Sequence, residues 1–187
     1  MKRIESLVER RFFDDIAYYK EQLQRWNAIH NMTAIKNERE LDDFIVDAVV
    51  PLEFLGSVDS LLDIGTGAGF PGLILAVARR EWRVVLVEPI TKRASFLQFI
   101  KASLKLENVT VQNARIEQLA SEPFSLITSR AVTDTKLLLH LAKPFCDAHT
   151  RLLFYKGERV YDEVDTRLDY EIIKSHKRHY LYIKSCQ

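Results

Sequence analysis

The sequence predicts an α/β fold: a mostly parallel, doubly wound sheet of seven strands, ending in an antiparallel hairpin and preceded by a helical extension. Three observations predict it. From Ser60 onward, short apolar runs alternate with helical patterns of about 10–15 residues, the rhythm of strand–helix–strand units. Within that stretch, Leu61, Leu62 and Ile64 read as a buried strand, glycines at 65, 67, 69 and 72 as a loop, and Leu73–Ala78 behind Pro71 as a helix. At the other end, Tyr170–Ile173 and His179–Ile183 are strand-like, and the Ser175-His176-Lys177-Arg178 link is too short for a crossover helix, so they must pair antiparallel.

Taken in order, apolar residues at helical spacing (Ile4, Leu7, Val8, Phe12, Ile16, Tyr19, Leu23, Trp26) predict one long amphipathic helix over 4–26, with a break near Asp14 an option. Asn27–Asn37 is expected as a loop and Leu41–Leu55 as a second helix with Pro51 near its end. Predicted strands follow at Leu61–Ile64, Arg83–Glu88, Val109–Asn113, Phe124–Ser129 and Arg151–Tyr155. Between them lie helices Gly72–Arg80, Lys92–Leu104 with Thr91 as N-cap, a short turn Ile116–Leu119, and Asp134–Phe145. The domain division expected is 1–58 as the helical extension and 59–187 as the α/β domain.

The chain of 187 residues, 47% apolar and 28% charged, has the make-up of an ordinary soluble globule. No apolar run is long enough for a membrane span, and Met1–Arg11 has no signal-peptide core, so a cytoplasmic location is expected. Cys146 and Cys186 are expected as reduced thiols. Residues 1–60 hold 8 Lys/Arg and 12 Asp/Glu, the remainder 19 and 14. A basic body of that kind is compatible with RNA and equally with a solvated surface.

Asp63 decides what the glycine loop is for. A pyrophosphate beside a carboxylate at the strand mouth is repelled; a ligand with an ammonium and a sulfonium is attracted. S-adenosylmethionine carries both, and its carboxylate suits helix N-terminal amides. Glu88 lies 23 residues after Gly65, near the distance at which an acid accepts ribose hydroxyls. The loop after the third strand, with Ile116 and Glu117, is expected to border the adenine. Arg130, after the fourth strand, is a candidate for the cofactor carboxylate or an RNA phosphate. Lys92 and Arg93 sit unfavourably at a helix start, a cost that a partner anion or a nearby acid would relieve. Lys156 closes the fifth strand at the same edge, and Phe70 is placed to cover the cofactor. No metal-ligand spacing is present, neither cysteine sits where a cytosine-C5 nucleophile is needed, and no Asp/Asn-Pro-Pro-Tyr/Phe motif follows the fourth strand.

A mostly parallel sheet finishing in an antiparallel pair is the layout of Rossmann-like class I methyltransferases. More narrowly, the chain resembles the bacterial small-subunit ribosomal RNA guanine-N7 methyltransferase family, also called glucose-inhibited division protein B. The resemblance spans nearly the whole chain. It rests on Trp26-Asn27, Asn31-Met32-Thr33, Phe44-Ile45-Val46-Asp47, the run Leu62–Gly72, Lys92-Arg93 with Phe96-Leu97, Ser129-Arg130-Ala131 and Lys156-Gly157. It implies methyl transfer from S-adenosylmethionine to guanine N7 of 16S ribosomal RNA, with the RNA or the small subunit as partner; a monomer is the default expectation, which the resemblance does not supply. It implies cofactor contacts at Gly65, Phe70, Ile116, Glu117 and Arg130, to which the residues add Asp63, Gly67 and Glu88. Asn31 and Lys156 are the implied catalytic positions; Asp47 and Arg115 are implied in activity or RNA contact, with Lys92, Arg93 and Arg115 expected on RNA. Two departures stand out: Phe44 where the family usually has histidine, and Ala48 where it usually has serine. A role for that histidine is not carried over. A methyltransferase of the same fold on another substrate, an NAD(P)-dependent oxidoreductase, and a non-enzymatic ribosome-assembly binder remain the alternatives at this point.

Overall fold

The computed structural model describes the chain except residues 159, 164–167, 176–177 and 186–187. Seven strands form one sheet in the order β3-β2-β1-β4-β5-β7-β6: β1 Ser60–Ile64, β2 Arg83–Val87, β3 Val109–Gln112, β4 Leu126–Arg130, β5 Arg151–Lys156, β6 Tyr170–Ser175 and β7 Arg178–Ile183. β1 to β5 run parallel, with Leu62 opposite Val85 on one side and Ile127 on the other. β7 turns antiparallel against β5, and β6 against β7. The expected layout therefore stands; of the four-residue link in the expected hairpin, His176 and Lys177 lie outside the described residues.

The side-chain alternation of β1 divides the core. Leu62 and Ile64 face a cluster with Ile127, Leu138 and Phe145, beneath α5 Thr135–Ala142. Leu61 faces the other, larger cluster, built with α3 Gly72–Ala78, α4 Thr91–Leu104 and the two N-terminal helices. The short α6 Val160–Glu163, absent from the sequence reading, seats Val160 in the first of these.

The N-terminal region differs from expectation at its boundaries. A 3₁₀ turn at Lys2–Ile4 precedes α1 Arg10–His30, which runs unbroken through Asp14 and takes in residues expected as loop. Its buried face is Phe12, Ile16, Tyr19 and Leu23, a 3–4-residue period that does not require a break. α2 spans Glu38–Val49, capped by Asn37, whose side chain accepts from Glu40 N. Pro51 then sits in a 3₁₀ turn at Val50–Glu53. α4 starts at Thr91, with Ile90 and not Thr91 as its N-cap. Cys146 is disulfide-bonded where a reduced thiol was expected; Cys186 lies outside the described residues.

Candidate functional site

The glycine loop between β1 and α3 is held from several directions. Gly65 N and Thr66 N both donate to Val87 O at the end of β2. Glu88 accepts from Gly67 N (2.9 Å) and from Ile90 N (2.8 Å), so one buried carboxylate fixes both the loop and the entry to α4. Tyr19 of α1 reaches in and donates to Ala68 O at 2.8 Å. Gly65 has φ of 70°, and a Cβ there would meet Val132 Cγ2 at 2.5 Å, so this position needs glycine on both counts.

Asp63 lies behind this loop and not in its mouth. Strand alternation turns its side chain toward α3, where it accepts from Gly72 N (2.9 Å) and Thr128 Oγ1 (2.7 Å) with no solvent exposure. Gly72 is glycine because a Cβ there would fall 2.5 Å from Asp63 Cβ. Burial pushes the Asp63 carboxyl up to about 6 against those hydrogen bonds. The expectation of direct contact with a cofactor ammonium is thus corrected: Asp63 clamps the first turn of α3 to the sheet.

Two adjoining cavities open at the carboxyl edge of the parallel strands. One, of about 390 Å³, is lined by Gly65, Gly67, Phe70, Glu88, Arg93 and Arg130, with Phe44 and the loop Met32-Thr33-Ala34. The other, of about 310 Å³, is lined by Ile116, Glu117, Arg115, Val87, Leu137 and Leu141. Gly65, Pro89 and Val132 border both. The structure therefore brings together nine of the expected cofactor and RNA positions around one double chamber. The expected sites Asn31, Asp63, Lys92 and Lys156 do not line either chamber.

Arg130 is the electrostatic centre of the larger chamber. It is 9% exposed, its Cζ lies 3.6 Å from the centroid of the Phe44 ring, and its Nη1 is buried without a hydrogen-bond partner. Burial, then Arg178, lowers its affinity for the proton, to about 10, so it stays charged at neutral pH. Asp47 is the nearby acid, but it accepts from Arg178 Nε at 2.8 Å. A buried guanidinium with an unused nitrogen at a cavity wall is a receptor for an anion such as a carboxylate. Phe44 also meets Phe70 edge-on at 5.5 Å, and Phe70 meets Tyr19 in the same way at 5.9 Å.

The remaining candidates take other places. Lys92 Nζ donates to His30 O (2.7 Å) and Arg93 Nε to Met32 O (3.2 Å). Carbonyls at and just past the end of α1 thus offset the cost of two cations at the start of α4. Asn31 is an exposed left-handed residue, φ 50°, closing α1. Lys156 Nζ donates to Thr133 O at 3.2 Å. Arg115, which caps the 3₁₀ turn Ile116–Gln118, and Glu117 within it are exposed, and Ile116 is buried. Sequence reasoning missed the Tyr19 grip, the placement of Phe44 under Arg130, and Val132. Spacing within α1 marks Tyr19 as inward-facing, but nothing local marks its partner.

The chamber suits S-adenosylmethionine. Arg130 has a free donor for its carboxylate, Glu88 keeps lone pairs for ribose hydroxyls, and the Ile116 chamber offers an apolar wall for a base. Solved structures with this fold include the E81Q mutant of MtNAS in complex with S-adenosylmethionine (TM-score 0.62, 16% identity, 99% of this chain and 80% of that one). A putative S-adenosyl-L-methionine-dependent methyltransferase from Methanococcus maripaludis is also similar (TM-score 0.59, 13% identity, 82% and 97%). At such identities the likeness concerns the fold. Sequence relatives are nearer: "Ribosomal RNA small subunit methyltransferase G" of Wolinella succinogenes is 46% identical, covering 91% of each chain. The proteins of the same name from Aliarcobacter butzleri (42%, covering 94% of this chain and 92% of that) and Helicobacter pylori (40%, covering 88% and 92%) follow. The family model GidB, described as rRNA small subunit methyltransferase G, matches residues 13–187. With the match spanning both the N-terminal helices and the whole sheet, the chain belongs to the GidB family, the rRNA small subunit methyltransferase G family.

Proposed function

We propose that this protein transfers a methyl group from S-adenosylmethionine to N7 of a guanosine in 16S ribosomal RNA. The observation that carries the reading is the buried, unpaired Arg130 Nη1 at the wall of a chamber built on the glycine loop. Family membership supplies the substrate class.

When bound, S-adenosylmethionine supplies a methyl group on a positive sulfur; the bond from guanine N7 to that carbon forms as the sulfur–carbon bond breaks, and the charge passes from sulfur to the base. N7 has a lone pair and no proton to lose, so this chain needs no general base. Its residues work by placement. Arg130 pairs with the amino-acid carboxylate, Glu88 accepts from the ribose, and Ile116 and Glu117 border the adenine chamber. Gly65 and Gly67 let that ligand lie against the backbone, and Phe70 closes the side toward α2. In this reading Asn31 and Lys156 act at the chamber rim, on the RNA and not on the methyl donor. The residues 1–58 and 59–187 are treated as extension and methyltransferase domain, and one copy of the chain holds every residue named. The cytoplasm, where ribosomes are assembled, is the expected location.

Incubation with tritiated S-adenosylmethionine and small ribosomal subunits tests the reading. Label removed by nuclease and retained after protease is the expected result, mapping to N7-methylguanosine. Label that survives nuclease and is lost to protease overturns it.

A further inference from the structure

Outside the chamber, one surface combines features found nowhere else among the described residues. α1 and α4 lie side by side, the end of α1 against the start of α4, as the Lys92–His30 and Arg93–Met32 contacts require. Across this seam Trp26 meets Phe96 (5.4 Å) and Phe99 (5.7 Å) of α4, and one turn along its own helix it meets His30 (5.5 Å). Phe96 is buried, but Phe99 is 37% exposed and Ile29 75%. At the chamber end of the seam, Ile90, 42% exposed, lines the chamber itself.

The charge on this face is one-sided. On this side α4, Thr91–Leu104, presents Lys92 and Arg93, and the helix carries no acid anywhere, its third cation, Lys101, lying half a turn round from Lys92; Gln24–His30, the last two turns of α1, carries Arg25 and no acid. In a chain with almost equal numbers of acids and bases, that is a local surplus of three cations, of which Arg25 pairs with Glu21 one turn back. The other exposed aromatic, Tyr161 at 61%, lies instead between Glu158 and Asp162 in sequence.

We infer that the α1–α4 face is the docking surface for the substrate RNA, Trp26, His30 and Phe99 providing a stacking platform for an unpaired base and Lys92 and its neighbours meeting the phosphates. The inference rests on the RNA methyltransferase reading above. Aromatic faces with cations beside them, free of carboxylates, match a polyanion that also has π surfaces. A protein partner would have no need for the missing acids. The face runs into the chamber through Ile90 and Arg93, so a strand lying on it leads a neighbouring nucleotide toward the methyl donor.

The test uses the full chain with single substitutions on the exposed side of the seam, at Ile29 and at Ser95, which is exposed on α4 one turn before Phe99: Ile29→Glu, Ser95→Glu and Ser95→Lys, with Tyr161→Glu as the comparison site. Measured are the KM for small ribosomal subunits, binding to protein-free 16S ribosomal RNA, and S-adenosylmethionine affinity by calorimetry. Ile29→Glu and Ser95→Glu are expected to raise the KM and weaken RNA binding about tenfold, Ser95→Lys to keep or tighten it, and Tyr161→Glu to change neither. S-adenosylmethionine affinity stays at the wild-type value throughout, which shows that each variant folds. Wild-type behaviour of both glutamate variants, with wild-type protein methylating RNA, overturns the docking face alone. So does an equal loss in Tyr161→Glu, or a loss confined to subunits while protein-free RNA still binds normally. Failure of the wild-type protein to methylate RNA overturns the function from which the inference starts.

Discussion

At the scale of the residue, the site depends on how a few buried charges are satisfied. Removing the Arg130 guanidinium deletes the unpaired donor at the chamber wall. Arg130→Ala is expected to weaken S-adenosylmethionine binding by about 30-fold or more, the worth of a charge-assisted pair, and to abolish methyl transfer while the circular dichroism spectrum stays native. Phe44 acts one step back, as the surface on which that guanidinium lies. Phe44→Leu should cost about tenfold in cofactor affinity and Phe44→Tyr much less, because the ring face is what matters. Asp63 makes a prediction about pH. Its carboxyl is raised in the fold to about 6, chiefly by burial, against about 4 in the unfolded chain. Below pH ~4 both states hold the proton; between ~4 and ~6 the unfolded chain releases it first, so this group's contribution to stability falls as pH rises through that window. The loss is on the order of 3 kcal/mol. Denaturant unfolding at pH 4 and pH 7 should therefore show a less negative change for Asp63→Asn than for the wild type. Equal changes in the two proteins would rule this account out.

At the scale of the element, strands and helices of the α/β region were legible because each is written in local chemistry: apolar runs for β1, β2 and β4, glycine and proline around α3, a short link before β7. Boundaries shifted where a competing local interaction decided them. Capped by Asn37, α2 starts at Glu38, three residues before its apolar pattern begins at Leu41, and α1 continues to His30 because Asn31 accepts a left-handed backbone that closes it. The site was less legible than the fold. Glycines, Glu88 and Arg130 announce themselves by position after a strand. Asp63 misled, since a carboxylate near a loop says nothing of which face its strand presents. Tyr19 and Phe44 belong to helices whose pattern reads only as core, and their partners Ala68 and Arg130 lie 49 and 86 residues on. The bond from Tyr19 to Ala68 O gives an element-level prediction. Tyr19→Phe leaves that carbonyl unpaired, so stability should drop by about 1–2 kcal/mol in urea unfolding, with a rise in the KM for S-adenosylmethionine.

At the scale of the whole molecule, the two expected regions share one core. Phe12, Ile16, Tyr19 and Leu23 of α1 sit in the same cluster as Leu73, Phe96 and Leu97 of the α/β region. Unfolding should accordingly be a single transition. Each region holds one tryptophan, Trp26 and Trp82, so the single-tryptophan variants Trp82→Phe and Trp26→Phe report on them separately. Within each variant, fluorescence and far-ultraviolet circular dichroism should give the same midpoint, and a fluorescence transition that precedes the other signal would mean that the regions come apart. The way the glycine loop is held has a wider consequence. Its anchors come from α1, from the end of β2 and from Glu88, so the short signature that betrays it in a sequence is only an address. Transplanted into another scaffold, those thirteen residues from Ser60 to Gly72 would arrive without the hands that grip them. A protein can therefore keep the signature letter for letter and still lose the ability to bind, through a change at a tyrosine that no pattern search would think to inspect.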